Sequence, residues 1–183
     1  GQVDRQPDCF TANQPGSLAT PLDLTTTAST VKAVGACRFS QDIAMTTCLG
    51  FAALDAHCAL TPFRFQRRAL RDDDIAIAIA FCGVCHSDAH QVHNDWNNTV
   101  YPCVPGHEIV GYVTDTGPKV SRFKVGDRVA VGCQVDSCLQ CAPCAEHQEQ
   151  LCVHGPTTTY NGKDRQTGEI TYGGYAEHIV VRE

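Results

Sequence analysis

Four cysteines, Cys138, Cys141, Cys144 and Cys152, follow the spacing C-x2-C-x2-C-x7-C. Gaps of two residues are too short to close useful disulfide loops, but they let one loop wrap four thiolates around a tetrahedral ion. With all four positions filled by protein, such an ion has no open coordination site and serves structure. Zinc suits the set. An iron–sulfur cluster or free thiols are the alternatives, and the related ferredoxin run C-x2-C-x2-C-x3-C-P differs in its last gap and its proline. Residues 133–152 are therefore expected to form a metal-organised lobe.

The remaining cysteines bear on compartment. Twelve in 183 residues is an even number and would suit an extracellular disulfide framework. Against that, they are clustered at ligand spacing, and the first residues lack the charged-then-apolar order of a secretory signal. A reducing, cytoplasmic location is expected. The charge count, 14 basic against 20 acidic residues for a net of −6, includes no basic block. Nucleic acid and anionic membranes are therefore excluded as partners. The longest apolar runs, such as 75–82, are too short to span a bilayer. The chain opens on Gly1 and its single methionine is Met45, so it is expected to be a processed product or part of a longer protein.

Along the chain, residues 1–30 carry Pro7, Pro15, Pro21 and a threonine run without apolar periodicity, which reads as a poorly ordered extension. A first strand fits 31–37, and 41–56 fits either a short helix or a buried loop. The stretch DIAIAIAFC from Asp74 alternates strictly. Ile75, Ile77, Ile79 and Phe81 share one face, and alanines fill the other. Residues 85–95 lack that period and suit a short helix, while 108–115, 127–131 and 172–181 are further strand candidates between Gly- and Pro-containing turns. Short punctuated strands with little helix predict a mainly β fold, a sandwich or partly open barrel. No Gly-x-Gly-x-x-Gly sits on a strand-to-helix turn, so no dinucleotide-binding fingerprint is expected here.

A second constellation involves Cys85, in GVCHSD, and His107-Glu108, in YPCVPGHEIVG. Thiolate, imidazole and carboxylate are zinc ligands, and a catalytic zinc keeps three protein ligands and one open position. Gly106 and Gly111 on either side of His107 allow close backbone approach. His57, His93, His147, His154 and His178 read as ordinary core or surface residues. Other zinc chemistries do not fit. No H-E-x-x-H is present, and no P-C-x-x-C follows His147-Gln148-Glu149.

The segments GVCHSDAHQ, YPCVPGHEIVG, FKVGDRVAVGC, VDSCLQCAPC, TYNG and YGGYAEHIVV together resemble zinc-dependent alcohol dehydrogenases of the medium-chain superfamily. The likeness is to the branch of cinnamyl alcohol dehydrogenases and broad-range aldehyde reductases. Gly106-His107-Glu108, Gly111, Gly117 and Val120 fit the family's G-H-E-x2-G-x5-G-x2-V signature. The likeness is specific over 75–183 and weaker over 31–39 and 60–68. It implies a GroES-like, partly open β-barrel over 31–183, with the four-cysteine lobe as its structural zinc loop and 41–56 as an insertion.

By the same resemblance, Cys85 and His107 match two catalytic zinc ligands and Glu108 the carboxylate beside the metal. Ser87 matches the hydroxyl that takes the alcohol proton, and His90 the far end of that relay. Asp88 is expected to orient its neighbours. Gln91, Trp96 and Cys133 fall where the family lines its substrate pocket, and Trp96 reads equally well as a packing residue. The family's usual third ligand is a cysteine in the segment after IVVRE, where this sequence ends, so the catalytic site is expected to lack it. Cys82, Cys103 and Cys133 are substitutes, ranked below Glu108. The family's Rossmann domain is likewise expected to be absent.

The resemblance therefore implies the catalytic-domain portion of an NADP(H) alcohol dehydrogenase, inactive alone, acting on a small alcohol or aldehyde. The complete enzyme would be a homodimer and this chain a monomer. The alternative is a stand-alone zinc-binding β-domain without redox activity.

Overall fold

The computed structural model describes residues 45–183. The expected extension 1–30, the strand at 31–37 and the start of 41–56 lie outside the described residues. Among the described residues the order is β1 (Thr46–Ala52), β2 (Thr61–Arg67), β3 (Asp74–Gly83), α1 (His86–Val92), β4 (Glu108–Thr116), β5 (Arg128–Val131), β6 (Gln134–Asp136), α2 (Ala142–Ala145), a 3-10 turn (Glu149–Leu151), β7 (Thr157–Thr158) and β8 (His178–Arg182). Every strand pair is antiparallel. The fold is mainly β, as the punctuated short strands predict, and no helix among the described residues is long and apolar enough to cross a membrane.

A four-stranded sheet in the order β5-β4-β3-β8 is the centre. Alternation decides its inner face. Ile75 and Ile77 of β3, Ile109 and Val113 of β4, Val129 and Val131 of β5, and Ile179 and Val181 of β8 form one buried cluster. Each such side chain, fully buried, contributes roughly 1.5–3 kcal/mol. The strict alternation expected across DIAIAIAFC fails at its end. A bulge between Ile79 and Phe81 shifts the pairing with β4 and turns Phe81 outward, 76% exposed, while Cys82 packs against the cluster instead.

The described part of 41–56 is neither helix nor buried loop. It is strand β1, paired residue for residue with β2, and its Cys48 and Ala52 are buried against Phe65 and Val104. A second core forms there, with Tyr172 and Tyr175 packed on it. The long-range partner β2 decides the matter, because a short apolar run alone has no diagnostic period. The last expected strand, 172–181, contracts to β8, because Gly173 and Gly174 are used to clamp another loop.

That clamp positions the site. The N–H groups of Gly173, Gly174 and Tyr175 donate to the carbonyls of Val104, Gly106 and Pro105 at 2.7, 2.8 and 3.0 Å. Buried Arg67 holds the same segment from behind, donating to the carbonyls of Tyr172, Gly173 and His178.

Candidate metal and active site

The four-cysteine lobe is built from one loop between β6 and β7. Cys138 and Cys141 flank a turn whose Leu139 takes φ +57°, a left-handed conformation that aims the Cys141 N–H at Cys138 Sγ, 3.4 Å away. Cys141 caps α2, Cys144 lies within it, and Cys152 follows the 3-10 turn. All four sulfurs lie within 4.8 Å of one another, with Cys138–Cys144 at 3.9 Å and Cys141–Cys144 at 3.4 Å. Four Zn–S bonds in a tetrahedron place sulfurs about 3.8 Å apart. The Cys138 N–H also points at Cys152 Sγ, 3.5 Å away, and the Arg165 guanidinium lies 3.9 Å from that sulfur.

The thiols differ in acidity. N–H groups of Gln140 and Cys141 pull Cys138 down to about 6, and those of Cys144 and Val153 pull Cys141 down as well. At Cys144 the hydroxyl of Ser137 favours the thiolate, but burial and the neighbouring sulfurs outweigh it and push the thiol up to about 11. Four sulfurs this close cannot all ionise without a cation among them, and a dication removes the penalty. The donor set fits zinc.

The second group is assembled from two segments. Cys85 is the N-cap of α1, at φ −102° and ψ 151°, and its N–H donates to Asp88 Oδ2 at 2.9 Å. The other oxygen of Asp88 accepts the Gly106 N–H at 2.9 Å and lies 3.5 Å from His107 Nδ1. The Tyr175 hydroxyl donates to Asp88 Oδ2 at 3.2 Å. Asp88, only 3% exposed, therefore ties the α1 cap, the Gly106-His107 turn and the 173–175 clamp to one carboxylate. It also faces Nδ1 of His107, which leaves Nε2 as the ligand atom. Gly106 sits at φ +101°, and a Cβ there would meet Tyr175 Cδ1 at 2.6 Å. Cys85, His107 and Glu108 bring one ligand atom each to within 4.8 Å of one another. Cysteine, histidine and carboxylate fit a zinc ion with an open position.

Ser87 is the second residue of α1, and His90 lies one turn further along the helix. His90 Nδ1 is 2.7 Å from Asp95 Oδ2, and its ring lies between those of His86 at 4.8 Å and Trp96 at 5.6 Å. Gln91 is buried, and its amide donates to Asn98 and Thr99 at 2.8 and 2.5 Å, bracing the loop after α1. Trp96 is 51% exposed. Cys133 is exposed, and no described contact joins its thiol to Cys85 or His107. Cys82 and Cys103 fall outside the donor group among the described residues, and burial pushes the Cys103 thiol up to about 12.

Two tyrosines escaped the sequence reading. Tyr160 stacks on His107 with ring centroids 5.7 Å apart, and Tyr175 reaches Asp88. Burial first, then the Asp88 charge, raises both phenols, so each stays protonated, and Tyr175 donates to Asp88. Their only signal in sequence is position within TYNG and YGGY; no spacing rule links them to residues 85–108.

Comparison with known proteins follows this geometry. The alcohol dehydrogenase GroES-like domain family matches residues 71–183. A probable cinnamyl alcohol dehydrogenase from Oryza sativa subsp. japonica is 51% identical over 135 residues, covering 74% of this chain and 36% of that protein. A probable mannitol dehydrogenase from Mesembryanthemum crystallinum is 48% identical over 134 residues, covering 73% of this chain and 37% of that protein. The solved cinnamyl alcohol dehydrogenase from Helicobacter pylori, complexed with NADP(H), superposes with a TM-score of 0.74 at 41% identity, covering 76% of this chain and 40% of that one. The chain thus spans about a third of the length of the curated relatives it matches.

Proposed function

Because the chain belongs to the GroES-like catalytic domain of the zinc-dependent medium-chain alcohol dehydrogenases, we propose that it carries the metal-binding half of an active site interconverting a primary alcohol and its aldehyde. The observation that carries the reading is the Asp88 carboxylate, which holds Cys85 and the Gly106-His107 turn in one constellation with Glu108. NADP(H) is the hydride partner by family, in keeping with the relative from Helicobacter pylori complexed with it.

Cys85, His107 and Glu108 would hold zinc, which would act as a Lewis acid on the substrate oxygen. Ser87, on the first turn of α1 beside the Cys85 cap, exchanges the hydroxyl proton. His90, fixed through Nδ1 by Asp95 and with its side chain partly exposed, passes the proton on. Asp88 stays buried and fixes the His107 ring rather than moving a proton. Trp96, exposed beside His90, offers a flat apolar surface to an aldehyde. The four-cysteine lobe is structural. Both zinc sites need reduced thiols, which fits a cytoplasmic location.

The test is reduction of cinnamaldehyde by NADPH together with metal analysis. Cys85→Ser should remove one ion per chain, and Ser87→Ala should lower kcat at least about 100-fold in the NADPH-binding protein. Turnover by the 183-residue chain alone would overturn the placement of the nicotinamide outside these residues. Turnover unaffected by Cys85→Ser would overturn the site assignment, leaving a zinc-binding β-domain without redox chemistry.

A further inference from the structure

A third group of donors lies where the β1–β2 hairpin meets the central sheet. β1 runs antiparallel to the segment entering β8. Gly50 bridges Ala176, and the Glu177 N–H donates to the Leu49 carbonyl at 3.0 Å. Two residues further, the same register sets Cys48 opposite His178, and Cys48 Sγ lies 3.6 Å from the His178 carbonyl. The Glu177 side chain curls back to this corner, with Oε2 3.2 Å from the Leu49 N–H. One ligand atom each from Cys48, Glu177 and His178 falls within 4.8 Å of the others.

A second observation points to a ligand there. His178 Nε2 is buried and, among the described residues, the one buried side-chain nitrogen or oxygen atom without a hydrogen-bond partner. Buried polar atoms are nearly always paired, so an unpaired nitrogen on an imidazole that shares a donor group with a thiol and a carboxylate points to a ligand. Burial also lowers the pKa of that ring, which keeps it in the neutral, metal-binding form.

We propose that Cys48, Glu177 and His178 form a further metal site, which takes a zinc-like divalent ion and staples the β1–β2 hairpin to β8. Thiolate, imidazole and carboxylate together select zinc over calcium or magnesium, and one coordination position stays open. Arg67 is the charge that opposes the ion, since its guanidinium lies over Phe65 and donates to the His178 carbonyl at 3.0 Å. The thiolate and carboxylate neutralise a dication, so the filled corner carries only the single positive charge of Arg67. The exposed Glu177 carboxylate gives the ion its way in. This site is independent of the dehydrogenase reading.

The experiment strips the 183-residue chain with a chelator and reloads it with cobalt(II). Bound metal per chain and the thiolate-to-cobalt charge-transfer absorption are then followed. The parent should bind one ion more than His178→Ala, while Cys85→Ser and Cys144→Ser each lose a different ion. Glu177→Gln should bind the extra ion at least about 10-fold more weakly. A folded His178→Ala with the parent's stoichiometry overturns the site. If His178→Ala does not fold, Glu177→Gln decides, because its carboxylate is at the surface, and an uptake curve identical to the parent's overturns the site.

Discussion

The two donor groups that fit zinc differ in how they are made. The lobe takes all four donors from residues 138–152, one loop whose backbone N–H groups already point at the sulfurs. The Cys85/His107/Glu108 group draws on segments 22 residues apart and owes its shape to Asp88 and to Tyr175, a further 68 residues beyond His107. One site organises its own loop. The other is organised by the barrel. Losing metal should therefore unfold the first and leave the second standing.

The largest effect is expected at the lobe. Structural zinc in small sites contributes on the order of 10 kcal/mol, so Cys144→Ser should abolish the lobe's ion and open 133–152 to proteolysis. The central sheet should remain by circular dichroism, and collapse of the whole domain would break the contrast. Next is Asp88→Asn, which replaces a buried acceptor of three donors with an amide. It should lower stability by about 2–4 kcal/mol and weaken metal at Cys85/His107 by about 10–100-fold, as read by thermal melts and chelator competition, with the lobe's ion unmoved.

A smaller effect concerns pH. Cys138, drawn down to about 6, is already a thiolate at pH 7 and needs no proton removed when zinc binds. Zinc uptake by the stripped lobe should then release fewer than four protons at pH 7, and its affinity should fall one power more steeply once pH drops through about 6. Calorimetry in buffers of different ionisation enthalpy reads the count. The smallest effect is at Asp164, which pairs bidentately with Arg71 at 2.8 and 3.0 Å and anchors the loop between lobe and β8. Hydrogen bonds from Arg71 and from the N–H groups of Thr167 and Gln166 outweigh burial and hold its carboxyl well below the usual range. A depressed acid stabilises the fold above its unfolded value near 4 and loses that contribution as pH falls further. Asp164→Asn should cost about 1 kcal/mol at neutral pH and flatten the acid limb of the melting profile.

Local chemistry explains what was legible. The cysteine spacing needed no tertiary knowledge, since two-residue gaps bring sulfurs together in any loop. The strand at DIAIAIAFC showed in its period, and the helix after Cys85 in the loss of that period. What misled was always settled by a distant partner. The bulge against β4 turned Phe81 outward, and β2 made 46–52 a strand. The setting of His178 beside Cys48 likewise comes from a register that no spacing reveals.

By itself, then, the amino-acid sequence determined the cysteine spacing of the lobe, the family, and that positions 85, 107 and 108 carry side chains of metal-donor type. Only the tertiary structure decided that Asp88 would anchor both Cys85 and the Gly106-His107 turn, that Tyr175 would reach it while Tyr160 stacks on His107, and that a third donor group would meet at the hairpin corner. The reason is range. Thiolates a few residues apart meet through the local backbone, whereas a buried carboxylate finds its donors only once the antiparallel strands have set the register between segments dozens of residues apart.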